Sequence, residues 1–267
     1  MKKIICLAIV LTFVACKEES NTDWLQSGAV QVTKSLLSSS SLIIDSTATI
    51  SAELRMESVA IFYTNDGSEP DRNSKAYINP IQIEEAGVYK FKAFHPDWNS
   101  SETASIELVK KGIDIDSIYW HTPIRKPYPG SGTNTVINHE KGSLNFRDSQ
   151  WIGLDSVMQA DVFFKEPTHI EKINIGYFAG SGSWIFPPEK IEVLISEGGS
   201  SFNPLIELEL ETPSSDIGPE SKKVELKVGT SAKAFRIIMN NKKIPEWHPA
   251  AGNPGWLFTD EWIFYNE

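Results

Sequence analysis

Beyond about residue 29 the chain alternates apolar and polar positions in short runs, each separated from the next by turn-forming residues. Alternation at period two puts successive side chains on opposite faces, so each run predicts a half-buried β-strand. Four such runs stand at 48–54, 59–64, 88–94 and 104–109. Asn65, Asp66, Gly67 and Ser68 close the second run, a strong hairpin-turn signal. Strands at this spacing over roughly 80 residues predict a small immunoglobulin-like β-sandwich. Lys110, Lys111 and Gly112 mark a boundary, and further runs follow at 159–164, 170–178, 190–196, 205–210, 222–228, 234–239 and 261–265. About 150 residues of this kind, without a stretch of helical periodicity, predict a jelly-roll sandwich. The expected fold class is all-β, with one sandwich over 29–110 and a second over 111–267.

The first 28 residues follow another pattern. Lys2 and Lys3 form a short cationic start, and Ile4 through Val14 is a nearly unbroken apolar run. That run has the length of a signal-peptide core and is too short to span a bilayer as a mature helix. It ends in Phe13, Val14, Ala15 and Cys16, which resembles the lipobox of bacterial lipoproteins. The resemblance implies a signal peptide over 1–15, a lipid-modified N-terminal Cys16, and a tether over 16–28. Two or three acyl chains on one residue make a stable membrane anchor. Cys6 would leave with the signal, so no disulfide is expected in the mature chain. Lys17, Glu18, Glu19 and Ser20 resemble the export tag that sends some Gram-negative lipoproteins to the outer face of the outer membrane, although a solvated tether has the same polarity. The expected location is the outer membrane, exposed at the cell surface.

Charge narrows the partners. The chain carries 25 basic and 35 acidic residues, a net charge of −10, with no basic cluster. That balance excludes nucleic acid and an anionic membrane surface as natural partners. Beyond the first segment no apolar stretch is long enough to cross a membrane.

Two resemblances give the modules names. The residues Ile61 through Pro70, with Ser74, Tyr77, Asn79, Pro80 and Ile81, resemble the chitobiase/β-hexosaminidase C-terminal domain, with Asp66 and Gly67 making a tight turn that Pro70 stiffens. The stretch from Val136 to Gly153, then Ser183–Pro188, Val193–Phe202, Ala234–Ile237, Pro245–His248 and Gly255–Trp262, is similar to a discoidin-type (coagulation factor 5/8 C) galactose-binding-like domain. Together they resemble the region that follows the catalytic barrel in bacterial β-N-acetylhexosaminidases. His139 stands where that family has a turn glycine, and histidine tolerates a positive φ well enough for the turn to survive. Trp151 is expected in the core, as the family's tryptophan is.

The chemistry on offer is recognition. A hexosaminidase barrel needs about 250 residues, and both blocks are already assigned to β-modules. Asp260 and Glu261 are adjacent, and neighbours on a regular strand face opposite ways, so they cannot flank one glycosidic bond. No His-Glu-x-x-His spacing occurs, and Ser181 lies in Gly180-Ser181-Gly182 rather than in a Gly-x-Ser-x-Gly elbow. Sugar rings present apolar C–H faces and many hydroxyls, so their sites want a flat aromatic beside fixed polar groups. Trp184 follows a glycine-rich turn, and Trp247, His248 and Trp256 flank a proline- and glycine-rich segment. These four are the candidate carbohydrate-binding residues, with packing in the module's end as the alternative role; Trp98 is a further candidate on the first module. No cofactor is required, but the discoidin resemblance implies a structural Ca2+ held by Asn138, nearby carbonyls and Glu261.

The function these resemblances imply is a non-catalytic carbohydrate-binding surface lipoprotein that captures amino-sugar or galactose-containing glycans. Two alternatives stay open. One is a structural or protein-interaction subunit of a glycan-degrading system, with a glycoside hydrolase or a transporter as neighbour. The other is a hexosaminidase-related glycoside hydrolase, which would need a carboxylate pair the sequence does not present.

Overall fold

The computed structural model describes residues 30–267; Cys16 and the segments expected as signal peptide and tether lie outside the described residues. The first module has eight strands: β1 (Leu36–Ser39), β2 (Ile43–Ile44), β3 (Ala48–Glu53), β4 (Ala60–Thr64), β5 (Lys75–Tyr77), β6 (Ile81–Ile83), β7 (Gly87–Phe94) and β8 (Ala104–Lys110). They form two sheets, β1-β3-β6 and β2-β8-β7-β4-β5. The sheets close on Ile50, Ala52, Tyr89, Phe91 and Leu108, the inward positions of the alternating runs. Four strands were legible as alternation. The other four, β1, β2, β5 and β6, are two to four residues long, too short to display a period. The turn behaves as its residues dictate: the Asp66 carboxylate accepts the Ser68 N–H at 3.0 Å.

The second module has seven strands: β9 (Ser117–Trp120), β10 (Ile152–Leu154), β11 (Met158–Ala179), β12 (Lys190–Ser196), β13 (Asn203–Glu209), β14 (Glu220–Asn240) and β15 (Leu257–Tyr265). The runs at 159–164 and 170–178 are one continuous strand, and so are those at 222–228 and 234–239. Both long strands pass through the bend, where β-bulges fall between Phe163 and Thr168 and between Ile170 and Lys172. A bulge bends a strand without ending it, so one long antiparallel pair, β11 with β14, serves two layers. Its first half lies beside β9 and β12, its second half beside β15. Ile173, Ile175, Trp262 and Phe264 of one layer meet Val162, Val193, Phe235 and Ile237 of the other in the core. The all-β expectation holds, with two sandwiches and, among the described residues, only single helical turns at Thr135–Ile137 and Ser181–Ser183. Among the described residues no helix is long and apolar enough to cross a membrane.

The two modules pack against each other where β8 ends. Ile43 and Val109 of the first module pack against Ile263 and Tyr265 of the second. The Tyr265 hydroxyl donates to the Lys110 carbonyl at 2.9 Å, and the Ile113 N–H donates to the Phe264 carbonyl at 2.9 Å. Burial pushes the Tyr265 phenol up to about 12, which keeps it a donor. Lys223 and Glu107 add an ion pair across the junction.

Candidate functional site

One end of the second module gathers most of the candidate residues. It is built from the loops at 126–130, 142–150, 180–186, 212–219 and 243–256. A short strap runs from Gly180 to Phe186. The Trp184 N–H donates to the Ser181 carbonyl at 2.8 Å, and the Trp256 N–H donates to the Trp184 carbonyl at 2.8 Å. Trp184 therefore sits in a left-handed conformation, φ 62°, tied on both sides, with its side chain 45% exposed. Beneath it Ser181 is buried and its hydroxyl accepts the Ile217 N–H at 2.9 Å. Asp216 bonds the same hydroxyl. That fixes the loop at 214–219 against the strap and gives Ser181 a structural role.

The other candidates divide. Trp256 is half-buried: it packs edge-on against Tyr128 at 5.2 Å and joins the cluster of Trp151, Phe178, Ile185 and Phe258. Trp247 anchors its indole N–H on the Pro213 carbonyl at 2.7 Å. His248 lies edge-on to Phe186, and its ring nitrogen accepts the Ala250 N–H at 3.1 Å. Trp184 is thus the most exposed ring of the four, and the others brace the loops around it. Trp151 is fully buried, as expected, with its indole N–H on the Ser143 carbonyl at 2.8 Å. Trp98 lies apart on the first module, stacked on His95 with centroids 4.1 Å apart.

The sequence did not single out the depression beside Trp184. It measures about 410 Å³ and is lined by Phe146, Arg147, Gly182, Ser183, Asp216 and Pro219 among others. The Arg147 guanidinium lies 4.4 Å from the centre of the Phe146 ring, a cation–π contact that leaves exposed donors at the rim. The available signal was an apolar pair, Leu144 and Phe146, inside a stretch otherwise made of turn residues.

The floor under this end departs from a regular strand. Ile175 pairs with Trp262 and Tyr177 with Thr259, so β15 carries one extra residue at Asp260 and Glu261. The bulge corrects the expectation of opposite faces: both carboxylates turn to the loop at 138–142. Asp260 is fully buried and holds the Lys141 ammonium at 2.7 and 2.9 Å, and it accepts the Gly142 N–H at 3.1 Å. Glu261, 1% exposed, accepts the N–H groups of Asn138 and His139, each at 3.1 Å. His139 does take a positive φ, 62°. Two glycines make the close packing feasible: a Cβ on Gly176 would lie 1.7 Å from an Asp260 oxygen, and one on Gly142 would lie 2.2 Å from the Trp151 ring.

This donor set does not fit calcium. A Ca2+ ion takes six to eight oxygens, whereas both Glu261 oxygens face N–H donors and the Asn138 Oδ1 accepts the Glu140 N–H at 2.9 Å. The neighbouring positive charge is Lys141, the protein's own cation. Among the described residues no group of three or more His, Cys, Asp or Glu side chains is placed to hold a metal. Burial lifts Glu261 to about 8, against the pull of the His139 N–H. It also lifts Asp260, against the Lys141 ammonium. The His139 Nδ1 is buried without a hydrogen-bond partner and lies 3.6 Å from Glu261 Oε1.

Two outcomes follow for the floor. Lys141→Met leaves Asp260 buried without its cation and is expected to cost about 3 kcal/mol of stability by urea unfolding, whereas EDTA leaves the midpoint unchanged; a chelator-sensitive midpoint would restore calcium to the site. For Glu261 the folded group holds its proton more tightly than the unfolded one. Its contribution is therefore full below the unfolded value near 4.5 and is lost as pH rises through about 8. Glu261→Gln, which mimics the neutral acid, is expected to flatten the fall in stability between about pH 5 and about pH 9; an unchanged slope would show that another group titrates.

Residues 33–105 match the family model described as the chitobiase/beta-hexosaminidase C-terminal domain, in agreement with the resemblance carried by Ile61–Pro70. Solved structures similar to this chain include the Clostridium perfringens module CpGH89CBM32-5, in complex with GalNAc-beta-1,3-galactose. It is 15% identical, with 56% of this chain and 94% of that one covered and a TM-score of 0.37. CBM32-3 from a Clostridium perfringens family 31 glycoside hydrolase is 11% identical, with coverages of 58% and 95% and a TM-score of 0.40. The C-terminal domain of a chitobiase from Bacteroides fragilis is 13% identical, with coverages of 57% and 95% and a TM-score of 0.36. No curated protein matches the chain.

Proposed function

We propose that this protein is a non-catalytic carbohydrate-binding lipoprotein, anchored through Cys16, displayed on the outer membrane, and that it takes glycans at the Trp184 end of its second module. The observation that carries the reading is Trp184 itself. A large ring held in a left-handed turn, open to solvent and next in the chain to the lining of a mixed depression with Phe146, Arg147 and Asp216 in its walls, costs folding energy that packing does not return. It is what a sugar ring needs: a flat face for the C–H groups, with the donors of Arg147 and the backbone of the strap close by.

The carboxylates do not offer catalysis. Asp260 is fully buried and spent on Lys141, and Glu261 is spent on two N–H groups, so neither reaches a substrate. A shallow sugar site binds weakly, because stripping water from hydroxyls cancels much of the gain. A lipid anchor compensates, since many copies on one surface engage a polymer together. Amino-sugar and galactose-containing glycans are the first ligands to try, because similar modules have been solved with GalNAc-beta-1,3-galactose and with GalNAc.

On a glycan array the chain is expected to bind such glycans, and Trp184→Ala is expected to weaken binding at least about tenfold, the loss of one aromatic platform. Trp256→Ala is expected to act through stability as well, because that ring is half-buried. A blank array would contradict the reading. Cys16→Ala is expected to move the protein from the membrane to the soluble fraction; retention in the membrane would contradict the anchor.

A further inference from the structure

Between the two modules lies a second cleft, about 280 Å³, that the Trp184 reading does not use. Its walls are Ile106 and Val109 of the first module and Leu144 and Ile263 of the second, and its polar side includes Asn174 and Ser221. Leu144, 62% exposed, lines both this cleft and the depression beside Trp184. The two openings also share strands. Asn174 and Gly176 line the cleft, and Phe178 and Gly180 line the depression; these are alternate residues on or just past β11. Opposite them, Ser221 lines the cleft, and Gly218 and Pro219 line the depression. From Asn174 to Gly180 the strand direction spans about 20 Å.

Asn174 gives the far end of this track an unmet need. It is 6% exposed, and its Oδ1 has no hydrogen-bond partner, a condition that costs free energy unless a donor supplies it. The lysines around the cleft carry no surplus charge. Lys141 is paired with Asp260, Lys222 with Glu220 and Lys223 with Glu107. A polyanion therefore gains little here, whereas a neutral chain bearing hydroxyl or amide N–H donors has aliphatic walls to lie on and an acceptor to meet.

We propose that the depression and the junction cleft are two ends of one groove, and that the ligand is an extended, uncharged glycan several units long, with the first module as one wall. The proposal rests on the carbohydrate reading above and goes beyond it by fixing the form of the ligand. The first module then has a binding role, because Ile106 and Val109 belong to it. The Lys223–Glu107 pair ties the two walls together across the junction.

The test is calorimetry and array binding with the full chain, using neutral oligosaccharides of the same sugar from one unit to six, N-acetylglucosamine oligomers and galactose-terminated chains among them. The longest chains are expected to bind at least about tenfold tighter than the one- and two-unit sugars. Asn174→Leu, and separately Ser221→Trp, which fills the groove from an exposed strand position, are expected to bring that ratio down towards one. Binding with no dependence on length, or a ratio that survives both substitutions, overturns the groove and leaves the Trp184 site standing. No binding to any chain overturns the carbohydrate reading and the groove with it.

Discussion

The Lys141 ammonium, held by both oxygens of the buried Asp260 carboxylate, is the contact on which the Trp184 end of the second module depends. A carboxylate with no exposure is tolerable only when charge and hydrogen bonds compensate it, so the loop carrying Lys141 has one place to lie. The bulge in β15 brings Asp260 and Glu261 to that loop together, and Glu261 fixes the preceding turn through two N–H groups. Once residues 138–142 are set, Ser143 receives the Trp151 indole N–H, and Phe146 lies against Phe178 and Phe258. The wall of the depression and the wall of the junction cleft are thus two sides of one pinned loop.

Much of the fold was legible because it rests on alternation, which sequence displays directly. The strand at 190–196 agrees at both ends, and the first module's longer strands agree to within a residue or two. What could not be read was continuity through a bend. Lys165, Glu166 and Pro167 look like a break between strands, yet β11 runs through them because a bulge absorbs the interruption. The same blindness hid the bulge at Asp260 and Glu261, where period two predicted opposite faces. Register is a property of two strands, and a single run of residues carries only one of them.

The candidate site was legible in part. Tryptophans in turn-rich loops are a compositional signal for exposed rings, and Trp184 is exposed. Trp256 shows its limit, because a tryptophan beside prolines and glycines can equally pack against Tyr128 and Phe258. Phe146 and Arg147 were missed because their significance depends on which loop they meet. Asn138 and Glu261 lie together, but the contact joins a carboxylate to an N–H rather than forming an oxygen cage. With a wall of the depression and a wall of the junction cleft both carried by the segment that follows this loop, the order of that end of the second module depends on the buried pair.

The most direct measurement of that coupling is hydrogen exchange along the full chain, wild type against Lys141→Met. If the buried ion pair organises the Trp184 end, the amides of Asn138, His139 and Gly142 lose protection in the variant, and those of the strap at 180–186 follow. The amides of Ala48–Glu53 in the first module keep theirs. Equal protection of the loop and the strap in both proteins would contradict the account, because the end would then be ordered without the contact placed at its base.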